Sequence, residues 1–517
     1  MKSITGLDVP YRPEWHYSAE RNWLNDPNGL VYSNGTYHLF YQHNPHGNDW
    51  GNMSWGHATS ENLLQWEEGP VAILCDEQES IFSGSAVVDH HNTSGFGIGG
   101  VPPLVAIYTS AYSPESPLAG RQAQSLAYST DDGDTWTKYA GNPVLDRASS
   151  DFRDPKVFWH EGDAGCYWVM VAVEALNREV VLYRSEDLKS WEYLSTFGPA
   201  NATEGLWECP DLFELPLDGD ASDTRWVMVV SLSPGGIAGG SGSQYFIGTF
   251  DGVTFRSETT VTEGMQPDNS RMTDYRWLDW GRDYYAAVSF SNVPDGRRLM
   301  IGWMSNWQYA GSTPSDGWRS AMSLAREVRL ISRGGRPVLV QEAMDPLGQQ
   351  GGQSTAPFTL DRQPLAEGVA WLPADASGDV LRIDAEFEPG AAATVGLVLR
   401  AGSEAGGAPG GASGHEDPAG LRTVLAYECI SGELSLDRTQ SGNVGFHETF
   451  PSVERVAVPL EDGRLRLRIF LDRCSVEVFA QDGLATITDL IFPDQPGNAV
   501  GLLAEGGGTL VSLAVVR

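Results

Sequence analysis

An all-β fold is predicted, from three observations. Long amphipathic helical periods are absent, and short β-rich runs bounded by turn residues recur instead, with 59 Gly and 30 Pro to punctuate them. A Ser/Asp-rich turn leading to an aromatic residue repeats through the first half of the chain. Near the C-terminus apolar and charged residues alternate with a strict period of two.

Taken in order, the first runs are TYHLFYQ at 36–42, LVAIYTS at 104–110, CYWVMVAV at 166–173, RWVMVVSL at 225–232 and YYAAVSF at 284–290. The repeat appears as Ser60-Glu61-Asn62 before Trp66, Ser129-Thr130-Asp131-Asp132 before Trp136, Ser185-Glu186-Asp187 before Trp191, and a degenerate Phe250-Asp251-Gly252 before Phe255. A spacing of roughly 55 to 70 residues fits four-stranded blades around an axis, and about five such blades fill residues 1–340. A sandwich alone would supply short strands but not the recurring turn. The first domain is therefore expected to be a five-bladed β-propeller. Residues 334–361 are rich in Gly, Gln and Pro and read as a connection, with the linker proper at 341–360.

Alternation then resumes in VLRIDAEFEP at 380–389, ATVGLVLR at 393–400 and RLRLRIFLDRCSVEVFA at 464–480. Arg464, Arg466 and Arg468 interleave with Leu465, Leu467 and Ile469, as in a half-buried antiparallel strand. Residues 361–517 are thus expected to form a β-sandwich. Within them 401–420 has almost nothing apolar to bury and reads as a mobile surface loop.

A chain of 517 residues exceeds one compact domain, which supports the two-part division. The net charge of −34 would repel nucleic acid and anionic membrane, so neither is an expected partner. The five cysteines are scattered without a CxxC, and the spacing of His38, His43, His46 and His57 matches no zinc template; no metal is expected. No apolar run of spanning length occurs, and the first residues lack a signal-peptide core, which reads as cytoplasmic, or secreted with the signal peptide absent from this sequence. The oligomeric state stays open.

Three short acidic signatures carry the chemistry: WLNDPNG around Asp26, FRDP around Asp154 and WECPD around Glu208. Glycosidic-bond cleavage uses two carboxylates flanking one bond, and a third acid can hold the ring between them. Their Pro, Gly and Asn content places them at strand ends or tight turns. In a regular strand Arg153 and Asp154 would point to opposite faces. Trp207, Cys209, Leu212 and Phe213 suggest an apolar setting for Glu208, which would raise its pKa and suit a general acid. Asp211 is the weaker acid of that segment, and Cys209 is expected to pack rather than react.

These blocks, in this order, resemble the signatures of glycoside hydrolase family 32, the family of invertases, inulinases and levanases. Tyr41-Gln42-His43-Asn44-Pro45, Phe82-Ser83-Gly84-Ser85-Ala86, the Ile301–Ala310 block and Asp472-Arg473-Cys474-Ser475-Val476-Glu477-Val478-Phe479 also resemble family blocks, so the likeness runs from about Tyr17 to the C-terminus. The resemblance implies the same five-bladed propeller and sandwich. It implies Asp26 as nucleophile, Glu208 as general acid/base and Asp154 as the acid that holds ring hydroxyls. It implies a fructose pocket lined by Asn25, Gln42, Trp50, Phe82, Ser83 and Arg153, with Trp303 as a wall and Trp307 as an outer platform. The implied reaction is retaining release of terminal β-fructofuranosyl units from levan or inulin, with sucrose as a lesser substrate and no cofactor. A sucrose-specialised invertase, a fructosyltransferase and a non-catalytic sugar-binding propeller are the competing readings.

Overall fold

The computed structural model describes residues 11–162, 165–266, 268–348, 356–390, 393–402, 420–493 and 497–517. Its described residues are β-strands joined by turns and four short 3-10 helices. Three antiparallel meanders of four strands follow each other: Asn22–Ser33 to Glu67–Glu68, Glu79–Val88 to Thr137–Lys138, and Phe152–Gly162 to Glu192–Phe197. A fourth, Leu206–Leu217 to Phe255–Ser257, joins through one parallel pairing, Leu217 with Leu330, to strands drawn from Tyr285–Ala343. The inner strands Asn22–Ser33, Glu79–Val88, Phe152–Gly162, Leu206–Leu217 and Tyr285–Ser289 pack against one another in sequence order, and the last returns to the first. Trp318–Arg319 pairs in parallel with Asn22 and Trp23, and the Ser291 amide donates to the Leu30 carbonyl at 2.8 Å, so the two ends of this half are stitched together.

The recurring turn has one physical origin. Ser60 Oγ accepts from the Leu63 amide at 2.8 Å, Ser129 Oγ from Gly133 at 2.8 Å, and Asp187 Oδ1 from Ser190 at 2.7 Å. Asp251 Oδ1 accepts from Thr254 at 2.7 Å in the degenerate copy. Each copy places one or two residues at positive φ: Leu63, Asp132 with Gly133, Leu188 and Gly252. Short polar side chains capping their own backbone are what permit such a turn.

Two antiparallel sheets, of seven and six strands, make up the C-terminal part. They share a core that includes Leu381, Phe387, Leu397, Leu425, Leu467 and Val478. Two sequence expectations change. Residues 334–343 are not connection: Arg336–Ala343 is a strand hydrogen-bonded to Arg326–Arg333, and Gly334 and Gly335, both at positive φ, form the hairpin turn between them. Residues 464–480 are two strands, Leu465–Asp472 and Ser475–Ala480, because the chain reverses at Arg473-Cys474. Most of the 401–420 loop and part of the 341–360 linker lie outside the described residues.

Buried charges lock the two halves together. Arg326 donates to Asp279 at 2.9 Å and also binds Glu477, while its guanidinium lies 4.0 Å from the Tyr284 ring centre. His16 bridges Asp472 and Glu477, at 2.8 Å to each. Arg438 makes the second lock, reaching Asp283 at 2.6 Å and the Tyr309 hydroxyl at 2.9 Å.

Candidate active site

All five inner strands lose register where they present a site residue. The slips fall between Leu24 and Pro27, Phe82 and Gly84, Glu208 and Asp211, and Tyr285 and Val288, and opposite Asp154 between Val171 and Val173. These are bulges, and a bulge re-aims side chains that a regular pleat would alternate. The acidic motifs therefore lie within strands, near their beginnings, and not in turns between strands. Proline interrupts the ladder because it has no N–H to give. Gly29, at φ +54°, is required: a Cβ there would lie 2.6 Å from Phe40.

Asp26 Oδ2 accepts from Ser83 Oγ at 2.8 Å, while Oδ1 is buried without a partner. Asn28 ties the motif to the neighbouring inner strand, donating to the Asp26 carbonyl at 3.1 Å and accepting from the Gly84 amide at 3.1 Å. Asn25 accepts from the Trp23 indole at 2.7 Å. Asp154 takes φ +61°, and its amide donates to Thr109 Oγ1 at 3.0 Å. This left-handed residue breaks the alternation, so Arg153 and Asp154 do not diverge as the sequence suggests: Arg153 Nε lies 3.8 Å from Asp154 Oδ2, and Arg153 Nη2 donates to Glu208 Oε1 at 3.0 Å. Gln122 steadies the same guanidinium at 3.3 Å.

Glu208 accepts from Arg153 on one oxygen and from the Tyr285 hydroxyl on the other. Its side chain is 24% exposed. The setting is thus polar and open, not the apolar one expected, because Trp207 turns inward to donate to the Ala202 carbonyl at 2.9 Å. Cys209, at φ +46°, donates its amide to Asp154 Oδ2 at 3.0 Å, and its sulfur lies 3.7 Å from Asp26 Oδ2 and 3.8 Å from Asp154 Oδ2. The thiol touches two of the acids, which revises its expected packing role. Asp211 faces away, paired with Lys156 at 3.4 Å and capped by the Ser289 amide at 2.6 Å.

Electrostatics follow from this crowding. Burial pushes the Asp26 carboxyl up, and the Glu208 charge pushes it further. Burial also raises Asp154, with Arg153 pulling the other way. Burial disfavours the charged Arg153, but Glu208 and Asp154 outweigh it and hold the guanidinium above its usual value. Burial and then the three carboxylates push the Cys209 thiol well up, so it stays protonated and serves as a neutral donor.

Of the remaining expected residues, Gln42 donates to the Ile81 carbonyl at 3.0 Å, and Trp50 meets Phe82 edge-on at 6.0 Å. Trp50 is 52% exposed. Trp307 stacks on Trp23 at 6.0 Å, with Trp303 4.8 Å from it. Trp303, expected as a pocket wall, has no exposed surface and backs Trp307 and Tyr285 instead. A cavity of about 10 Å³ beside Ser83, Asp154, Lys156 and Cys209 holds no more than one water. Tyr285, Thr109 and Gln122 escaped the sequence reading; the first two sit in β-rich runs and Gln122 in a polar stretch, with nothing local to mark them. Among the described residues no group of three or more His, Cys, Asp or Glu side chains is arranged to hold a metal ion.

An array of three acids, one arginine and a tyrosine, opening to solvent beside aromatic rings, is the kind of site found in enzymes that cut sugar bonds. The chain belongs to glycoside hydrolase family 32: the model of the "Glycosyl hydrolases family 32 N-terminal domain" matches residues 16–343, and that of the "Glycosyl hydrolases family 32 C terminal" matches 350–517. It is 46% identical to a levanase of Bacillus subtilis over 99% of this chain and 70% of that one. It is 43% identical to an extracellular exo-inulinase of Aspergillus niger over 97% of this chain and 93% of the relative. The crystal structure of an exo-inulinase from Aspergillus awamori superposes with a TM-score of 0.87 at 40% identity, covering 99% of each chain.

Proposed function

We propose that this protein is a retaining exo-fructanase that releases terminal β-D-fructofuranosyl units from levan or inulin and cleaves sucrose as a lesser substrate. The relatives named levanase and exo-inulinase support the substrate class. The observation that carries the mechanism is the division of labour between two carboxylates. Asp26 has one oxygen held by Ser83 and the other free. Glu208 lies at the open side with Arg153 and Tyr285 on its two oxygens.

In this reading Asp26 attacks the anomeric carbon while Glu208 protonates the leaving oxygen. Water, activated by the same Glu208, then releases fructose from the covalent intermediate. Asp154, fixed by the Cys209 amide, accepts from ring hydroxyls, and Arg153 donates to them. Asn25, Gln42, Ser83, Phe82 and Trp50 complete the fructose pocket, and Trp307 forms an outer platform. The ring-like succession of inner strands supports a five-bladed β-propeller that ends with the Arg336–Ala343 strand, and the paired C-terminal sheets support a β-sandwich that begins with the Phe358–Leu360 strand. The extracellular relatives favour action outside the cell.

The test is a time course of products from levan, inulin and sucrose at equal sugar concentration. Free fructose from the earliest point on a fructan, faster than on sucrose, is the expected result. Cleavage of sucrose alone would make the protein an invertase, early transfer products would make it a fructosyltransferase, and no product from any substrate would leave a sugar-binding protein.

A further inference from the structure

Outside this site, a buried arginine among the described residues is left without a partner. Arg400 lies in the Thr394–Ala401 strand and is 1% exposed. Its φ is +52°, and the pairing of its strand with Ala499–Glu505 slips between Val398 and Ala401. None of its Nε, Nη1 and Nη2 atoms has a hydrogen-bond partner. The other two arginines buried to this degree, Arg326 and Arg438, each hold carboxylates directly. Arginine does not escape by losing its proton, and an unpaired charge away from water is strongly disfavoured.

Among the described residues, the two carboxylates that Arg400 feels are already engaged. Asp472 holds His16 and the amides of Glu14 and Trp15, and Asp379, itself 42% exposed, lies 3.5 Å from Arg473. Arg400 feels both acids, together with the repelling Arg473 and the neutral Cys474 thiol. Further polar groups on segments next to it are buried without partners: Thr423 Oγ1, on the residue paired with Leu399, Ser475 Oγ, next to Cys474, and Asn498 Oδ1, next to the residue paired with Ala401; the last can accept from the guanidinium but carries no charge to balance it. A buried guanidinium whose donors are all unused calls for an acceptor, and the acceptor that also balances the charge is an anion.

We propose that Arg400 is the centre of a binding site for a small monovalent inorganic anion of the halide type, at one end of the space between the two C-terminal sheets. The anion accepts from the guanidinium N–H groups. The net charge of −34 keeps bulk anions away, so the site fills only as their concentration rises.

The test uses the full chain. Melting temperature is followed in sodium chloride and in sodium gluconate, whose anion is too large for the site, at matched ionic strength. Wild type should gain a further, equal step in Tm for each tenfold rise in chloride beyond saturation, as ligand linkage requires, and none in gluconate. Arg400→Met, which keeps the length and removes the charge, should show no difference between the salts. Crystals grown in bromide should show an anomalous peak within hydrogen-bonding reach of the guanidinium. A wild-type Tm indifferent to chloride, an Arg400→Met variant with the wild-type response, or no bromide peak would each overturn the site. The bromide measurement decides alone where the variant does not fold.

Discussion

His16→Gln should remove a pH-dependent part of the protein's stability. His16 is buried between Asp472 and Glu477, and only the imidazolium donates to both. Burial opposes that charge, yet the two carboxylates prevail and raise the histidine from 6.5 to about 9. Such a rise is worth on the order of 3 kcal/mol in favour of the protonated, folded state. Because the folded value is the higher one, this stability is complete below pH 6.5 and is lost as the pH climbs through about 9. Glutamine has a single donor nitrogen, so it cannot reach both carboxylates from opposite sides, and it carries no charge. The gap between wild type and His16→Gln in urea unfolding should therefore be about 3 kcal/mol larger at pH 6 than at pH 10. Net self-repulsion is nearly the same in both proteins and drops out of the difference. A gap that stays constant across this range would show that His16 is not charged in the lock. Glu477 supplies the mirror test: held down from 4.5 to about 2, chiefly by Arg326 and His16 against the cost of burial, it stabilises above pH 4.5 and fails as the pH falls toward 2.

Four further outcomes are expected at the active site. Glu208→Gln should keep its melting temperature and lose about 10²- to 10⁴-fold in kcat on fructans, the usual scale for a general acid; unchanged turnover would remove Glu208 from the mechanism. Tyr285→Phe deletes the hydroxyl donor to Glu208 and should lower kcat by roughly 10- to 100-fold with little change in KM, since a hydrogen bond to a charged group is worth about 1.5–3 kcal/mol. Asp26 must be ionised to attack, and burial holds its carboxyl above the usual 3.8, so the acid limb of kcat/KM should fall above pH 3.8. The same raised value means that ionised Asp26 opposes folding, so Asp26→Asn should abolish turnover while raising Tm more at pH 7 than at pH 4.

Much of the fold was legible because its signals are local. The repeating turn is written in Ser60, Ser129, Asp187 and Asp251, whose side chains cap amides two to four residues away. The predicted runs at 36–42, 104–110, 166–173, 225–232 and 284–290 each fall within or almost within an observed strand, since turn residues bound them. The connection was read too early because the paired glycines 334 and 335 close a hairpin instead of ending a domain. The three acids were legible as residue types in distinctive motifs.

The sequence by itself thus determined the all-β class, the repeat and the family. Only the tertiary structure decided how the acids meet. The positive φ of Asp154 and Cys209 is adopted by residues that rarely take it, and no local pattern announces a bulge on a strand whose register depends on its neighbours. Tyr285 reaches Glu208 from 77 residues away, and Glu477 reaches Arg326 from 151 residues away. Such pairings exist only after distant strands are brought side by side, so their energies belong to the folded chain and leave no mark on the segments that supply them.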